Sequence, residues 1–343
     1  MININKIDKI YIACPAAVAT GGPELLQQLC FCLREKLKIN SFIYYYGNQK
    51  DLINPIHESY KIYDNPYVSA IEDKETNILI VPEVVNAQTI LSNYSKITKI
   101  CWWLSVDNFY YSFRFVKFIR KIKEKLSIKT INHFNGWYFV RLLRNSPAFV
   151  FSNFHMVQSV YAKNHLLSLG IDNNRIFYLS DYLNYDFLKT KVDLAKKNNF
   201  VAYNPKKGLS FTSKLIKSNP DITFIPLVNM NRGEVLENLS KAKVYIDFGN
   251  HPGKDRIPRE AAILYCCVIT NKQGSANFFE DVSIPEEYKF DDNNIENFSN
   301  IGEKIRECFR DYDKKINDFH CYREKIRKEP MVFLDNLKEI FKK

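Results

Sequence analysis

The sequence has no Cys-x-x-Cys pair. Its eight cysteines are Cys14, Cys30, Cys32, Cys101, Cys266, Cys267, Cys308 and Cys321, and their spacing suits neither zinc nor a redox dithiol. Several sit in apolar runs, as small buried hydrophobes do. That usage points to a reducing cytoplasm. No apolar run reaches the length of a membrane-spanning helix. The opening residues, MININKIDKIYIACP, hold a short apolar stretch interrupted by charges, which is not the pattern of a secretory leader. A soluble protein, or one peripheral to a membrane, is expected. Gly-x-Gly-x-x-Gly and the Walker lysine are both missing, which weakens dinucleotide and P-loop readings. Low-complexity tracts and short-period repeats are missing too.

What is present is a chain of 343 residues, longer than one core usually spans, so two domains are expected. Apolar residues make up 46% and charged residues 25%, as in soluble globular proteins. The formal charge of +11 suits phosphate-bearing ligands, an anionic membrane surface or nucleic acid. Nucleic acid is not expected as a partner. The chain carries no motif for it, and its basic residues gather at strand ends and in one amphipathic stretch.

Short apolar runs alternate with helical patterns. KIYIAC (9–14), SFIYYYG (41–47), NILIVPEV (77–84), KICWWLSVD (99–107), AFVFSN (148–153) and RIFYLSD (175–181) read as strands. PELLQQLCFCLREKL (23–37) reads as a helix with Pro23 first and Leu25, Leu26, Leu29, Leu33 and Leu37 on one side. HMVQSVYAKNHLLSLG (155–170) reads as a helix closed by Gly170. Apolar density drops over 184–198 and then the rhythm restarts with NFVAYNP, ITFIPLVN, AKVYIDFG and YCCVITN. Such alternation predicts α/β architecture: two doubly wound, Rossmann-like domains facing across a cleft. The expected divisions are 1–185, a linker at 186–198, a second domain at 199–320 and a last helix at 321–343.

Four loops carry candidate chemistry. In ATGGPELL, Gly21 and Gly22 join a strand to a helix N-terminus, where unpaired N–H groups meet anions. A tight strand–helix turn explains the same residues equally well. In YNPKKGLSF, Asn204, Lys206 and Lys207 follow a strand, where ligands of open α/β sheets lie. In HPGKDRIPREAA, Lys254 and Arg256 are placed for phosphate oxygens, and Glu260 for ligand hydroxyls. In NKQGSANFF, the N–H groups of Gly274, Ser275 and Ala276 are placed for an anion. Together these loops outline a site for a nucleoside diphosphate.

The layout GGPELL, YNPKKG and AKVYIDFGNHPGKDRIPREAA…CCVITNKQGSANFFEDV resembles GT-B glycosyltransferases, close to glycosyltransferase family 4 and its bacterial O-antigen and capsule subgroup. The resemblance is strongest over 199–290. It implies a nucleotide-sugar donor on the C-terminal domain, an acceptor on the N-terminal one, no obligatory metal or other cofactor, and retention of anomeric configuration. It also implies that the last helix, FLDNLKEIFKK, returns to the N-terminal domain. Glu260 matches the second Glu of the family's Glu–seven residues–Glu motif, which contacts ribose. Pro252 stands where the first Glu belongs, and Asp255 is a substitute for its sugar-hydroxyl contact. Lys207 matches a phosphate-binding Lys, with Lys206 or Asn204 near the accompanying Arg. Gly21 and Gly22 match the N-terminal glycine loop.

Catalytic candidates are Asp107 at a strand end, His133 in KTINHFNGW, and His251, whose neighbours set it toward the donor. For His133 and for His155, a structural or surface role is the better reading. Glu83 in VPEVV is expected to end a strand facing the cleft, with helix capping as an equal alternative. FRFVKFIRKIKEKLSIK (113–129) places Phe115, Ile119, Ile122 and Leu126 at helical spacing among Arg114, Lys117, Arg120, Lys121, Lys123, Lys125 and Lys129. That pattern suits an anionic membrane surface. The expected activity is therefore sugar transfer from a nucleotide-sugar to a glycan acceptor, lipid-linked and at the inner membrane face. The alternatives are a GT-B sugar-nucleotide epimerase and a catalytically silent GT-B binding protein.

Overall fold

The computed structural model describes residues 2–3, 6–113, 145–292 and 297–342. His133 and residues 114–129 of the basic segment lie outside the described residues. The chain divides into two compact units, Met1–Ser180 with Val332–Lys343, and Asp181–Met331.

The first unit holds β1 (Ile2–Asn3), β2 (Lys9–Pro15), β3 (Ser41–Tyr46), β4 (Tyr67–Val68), β5 (Asn77–Pro82), β6 (Thr98–Trp103), β7 (Phe154–Val157), β8 (Ile176–Tyr178) and β14 (Phe341–Lys342). Seven of them form one parallel sheet in the order β4-β3-β2-β5-β6-β7-β8. β5 is buried at every position, as a central parallel strand covered on both faces must be. β3 alternates buried and half-buried residues, which fits its place beside the edge strand. The helix Gly21–Glu35 buries Leu25, Leu26, Leu29 and Leu33 and packs on β2 and β3. It begins two residues before Pro23, so Gly21 and Gly22 belong to its first turn. β1 pairs in parallel with β14, Ile2 opposite Phe341.

Two strand and helix assignments change. AFVFSN is aromatic and β-branched, yet Pro147–Phe151 is a short helix. Pro147 sits in its first turn with a favourable fixed φ, and only Ala148 is buried, so no sheet face needs that run. The strand comes next, Phe154–Val157, and the expected helix starts only at Val160, capped by Ser159.

The second unit holds β9 (Asn198–Tyr203), β10 (Phe224–Pro226), β11 (Ala242–Asp247), β12 (Cys267–Asn271) and β13 (Lys289–Phe290). They form a parallel sheet in the order β10-β9-β11-β12-β13. The chain leaves β9 for one edge and β11 starts the run to the other. That reversal makes β9/β11 the topological switch point, where the following loops diverge and open a crevice. The core around it gathers Val201, Leu215, Val244, Ile246, Ala262, Val268, Ile301 and Phe319, all buried.

Candidate functional site

The loops after β9 and β11 carry the densest chemistry. After β9, Asn204 turns the chain: its side-chain oxygen accepts from Lys206 N at 3.0 Å. Lys206 is exposed and Lys207 half-buried. Gly208 follows at φ +59 and starts the helix Leu209–Ser218, whose N-terminus no side chain caps. A Cβ on Gly208 would run into the Phe248 carbonyl, and one on Gly249 would strike Lys207. The two loops interlock because both positions are glycine. Gly274 repeats the device at φ +52, where a Cβ would strike the His251 carbonyl.

Lys207 Nζ lies 2.8 Å from Asp255 Oδ2. The same oxygen lies 3.0 Å from His251 Nδ1. His251 is fully buried, and its Nε2 lies 3.4 Å from the Asp247 carbonyl oxygen and 4.0 Å from Asp247 Oδ1. Asp247 also accepts from Tyr245 Oη and from Gly249 N, each at 3.1 Å. Burial works against charge on His251, but the Asp247 and Asp255 carboxylates outweigh it and raise its pKa above the usual imidazole range. Burial likewise opposes charge on Asp255, and Lys207 and His251 override it, holding its carboxyl below the usual range. Asp247, His251 and Asp255 offer ligand atoms within 4.8 Å of one another, a metal-like spacing. The Lys207 ammonium already stands against Asp255, so these residues make no open cation site.

One turn further, Arg259 is fully buried and forked between Asp181 Oδ2 at 2.6 Å and Glu329 Oε2 at 2.8 Å. It also donates to the carbonyls of Lys254 and Asp255. Lys254 Nζ faces Glu329 Oε1 at 2.8 Å and Asp181 Oδ1 at 3.6 Å. Two buried cations thus meet two buried carboxylates. This alters the role expected of Lys254. Its ammonium is buried and engaged by carboxylates rather than held out for phosphate. Arg259 is one of the charged residues of HPGKDRIPREAA, and its place on the buried face of the helix Arg256–Ile263 gives it a structural role that the motif does not assign.

The Gly274–Ser275–Ala276 loop also differs from expectation. Ser275 N donates to His251 O at 2.9 Å, and Ala276 N to Gln273 O at 3.0 Å. Ser275 Oγ donates to Gly253 O. Ser275 thus braces the His251–Gly253 segment with both its N–H and its hydroxyl, and Ala276 N is spent within the loop. Arg256 opens its helix with Asp255 at the cap, and Glu260 lies one turn on; both are half-buried.

In the first unit, Gly21 and Gly22 begin a helix whose N-terminus no side chain caps, and Thr20 N donates to Tyr60 Oη. Asp107 is buried in the first turn of the helix Val106–Ser112 and accepts from Tyr161 Oη at 3.1 Å. His155 is a core residue: Trp103 Nε1 donates to its Nδ1 at 3.1 Å, and burial pushes its pKa down to about 3. Glu83 follows β5 and accepts from Leu104 N at 3.0 Å. Burial raises its pKa to about 7, against the hydrogen bond from Leu104. An acid so raised favours the fold while protonated and loses that contribution as pH climbs from the unfolded carboxyl range through about 7. Glu83→Gln should therefore raise Tm at about pH 8 by roughly 5 °C and change it little at about pH 5. A Tm gain of equal size at both pH values would refute the protonation account.

The sheet orders and the paired α/β units define a GT-B fold, two Rossmann-like units in one chain. Solved structures with this fold are similar over nearly the whole chain. HepE from Anabaena in complex with UDP-glucose matches with a TM-score of 0.62 at 11% identity, over 97% of this chain and 99% of that one. Sucrose-phosphate synthase from Thermosynechococcus elongatus matches with a TM-score of 0.64 at 10% identity, over 97% and 98%. A point mutant of S. aureus TarM, in complex with Fondaparinux, alpha-GlcNAc-glycerol and UDP, matches with a TM-score of 0.50 at 13% identity, over 93% and 59%. No family model matches the chain, and no curated protein does.

Proposed function

We propose that this chain transfers a sugar from a nucleoside-diphosphate sugar to a glycan acceptor. One observation carries the reading: Lys207 and the uncapped N-terminus of the helix Leu209–Ser218 converge at the switch point of the second unit's sheet. An ammonium beside helix N–H groups is a diphosphate cradle. As the bond to the anomeric carbon breaks, negative charge grows on the leaving diphosphate, and these fixed donors stabilise it without rearranging. Arg256 and Glu260, one loop away, are assigned to the donor's phosphate and ribose. Asn204 and Lys206 line the same loop. HepE holding UDP-glucose and TarM holding UDP support a nucleotide-sugar as the ligand.

The finer reading follows the resemblance: a family 4 transferase of bacterial surface polysaccharide, retaining and metal-independent, with a lipid-linked acceptor at the inner membrane face. The net charge of +11 supports an anionic surface as its working place. No helix among the described residues is long and apolar enough to cross a membrane. Asp107 is the acceptor-side candidate.

The test is a thermal-shift and calorimetric screen with UDP, GDP, ADP and dTDP and their common sugar conjugates. One nucleotide series should stabilise the protein by about 2.7 kcal/mol at a hundredfold excess over Kd. Release of nucleoside diphosphate should then require an acceptor. Absence of stabilisation across all series would overturn the reading.

A further inference from the structure

We propose that His251 is a positioning residue for the Lys207 ammonium, acting through Asp255. The inference rests on the donor reading of Lys207 given above. It starts from geometry: a fully buried imidazole lies between two carboxylates, Asp255 Oδ2 at 3.0 Å from Nδ1 and Asp247 Oδ1 at 4.0 Å from Nε2, with the Asp247 carbonyl oxygen at 3.4 Å. A neutral imidazole donates from one nitrogen only and turns a lone pair toward the other oxygen. Carboxylate oxygens near both nitrogens instead favour the ring with both nitrogens protonated, a cation.

The charges around the ring then close. From the end of β11 comes Asp247, itself tied to the Tyr245 hydroxyl. From the cap of the helix Arg256–Ile263 comes Asp255, and from the loop after β9 comes Lys207. Two carboxylates face two cations. Asp255 Oδ2 is shared, 3.0 Å from the imidazolium and 2.8 Å from the ammonium. Sharing fixes the carboxylate from behind, so Lys207 is held in place but not fully neutralised. A neutral His251 would leave the whole charge of Asp255 to Lys207. The site would then hold one positive charge fewer toward an incoming diphosphate. Anion affinity therefore falls as pH rises through the raised pKa of His251 and is greatest below it.

The experiment has a ligand-free arm and a ligand arm. In the first, the His251 ring is titrated by NMR in the wild type and in Lys207→Ala. Titration above the ordinary histidine range, moving higher when Lys207 is removed, supports the coupling. An ordinary pKa, or one that ignores Lys207, overturns it. In the second, UDP-glucose is titrated by calorimetry between about pH 6 and about pH 8.5, where its phosphates keep constant charge. Wild-type affinity should fall about tenfold across that range, while His251→Gln binds about tenfold more weakly at the low end and shows no slope. Wild-type affinity and slope in His251→Gln would refute the positioning role while Lys207→Ala still weakens binding. Unchanged binding in Lys207→Ala would instead refute the donor reading. Should His251→Gln not fold, Asp255→Asn tests the same link: without the shared carboxylate His251 no longer reaches Lys207, so the pH slope of binding should flatten, and a wild-type slope in Asp255→Asn would refute the positioning role.

Discussion

Arg259→Ala should destabilise the unit Asp181–Met331 by about 3–5 kcal/mol, the usual cost of removing one partner from a buried ionic network. For a unit of this size that is a Tm fall of roughly 10 °C. The cause is arithmetic of charge. Arg259 and Lys254 balance Asp181 and Glu329, and none of the four is more than slightly exposed. Burial alone would raise the Asp181 pKa, and Arg259 with Lys254 reverses it, so the carboxyl stays ionised. Without Arg259, two buried carboxylates share one ammonium. One must then take a proton or let water in. Added salt should not rescue the variant, because buried pairs are screened little. Arg259→Lys should lose less, since it keeps the charge and gives up only the fork that reaches both carboxylates. A differential-scanning trace with Arg259→Ala within about 2 °C of the wild type would refute the network's role.

Lys207→Ala should weaken nucleotide-sugar binding or turnover about 10- to 100-fold, the worth of one charge-assisted bond to phosphate. Tm should change little, because Lys207 is half-buried and its pair with Asp255 is partly solvated. Lys207→Arg should restore part of the binding, since it returns the charge at a different reach. Steady-state kinetics separate the roles. A phosphate contact made in both ground and transition states raises KM, and one made only as the diphosphate leaves lowers kcat. Kinetics equal to the wild type in Lys207→Ala would end the phosphate assignment.

The sheets were legible in the sequence because their period is local. Apolar runs such as NILIVP announce a buried strand wherever they pack. Pro147–Phe151 escaped because its residues favour a strand and only tertiary context denies them a sheet. At the site, sequence placed Asn204, Lys206, Lys207, Asp255, Arg256 and Glu260 in the loop-and-helix segments after the two switch-point strands, since strand ends are readable from the pattern. It did not resolve which cations meet buried carboxylates. Lys254 and Arg256 look alike in HPGKDRIPREAA, yet Lys254 pairs with Asp181 and Glu329, dozens of residues away. Partners that distant leave no local signature. His251 reads as a donor-facing group for a different reason: its acid neighbours Asp247 and Asp255 are only four residues to either side, but a loop sequence does not show which way a ring turns.

The first unit is discontinuous: Val332–Lys343 belongs to it, and β14 pairs with β1. The second unit is one unbroken stretch of chain. On the ribosome, therefore, the second unit has all its residues in hand before the first does. The seven-stranded sheet has all its strands by Tyr178, but β1 must wait for its partner β14 until the entire neighbouring unit has been made. A chain truncated just past Met331 and released would accordingly hold every residue of the second unit and lack part of the first. The order of completion runs opposite to the order of synthesis.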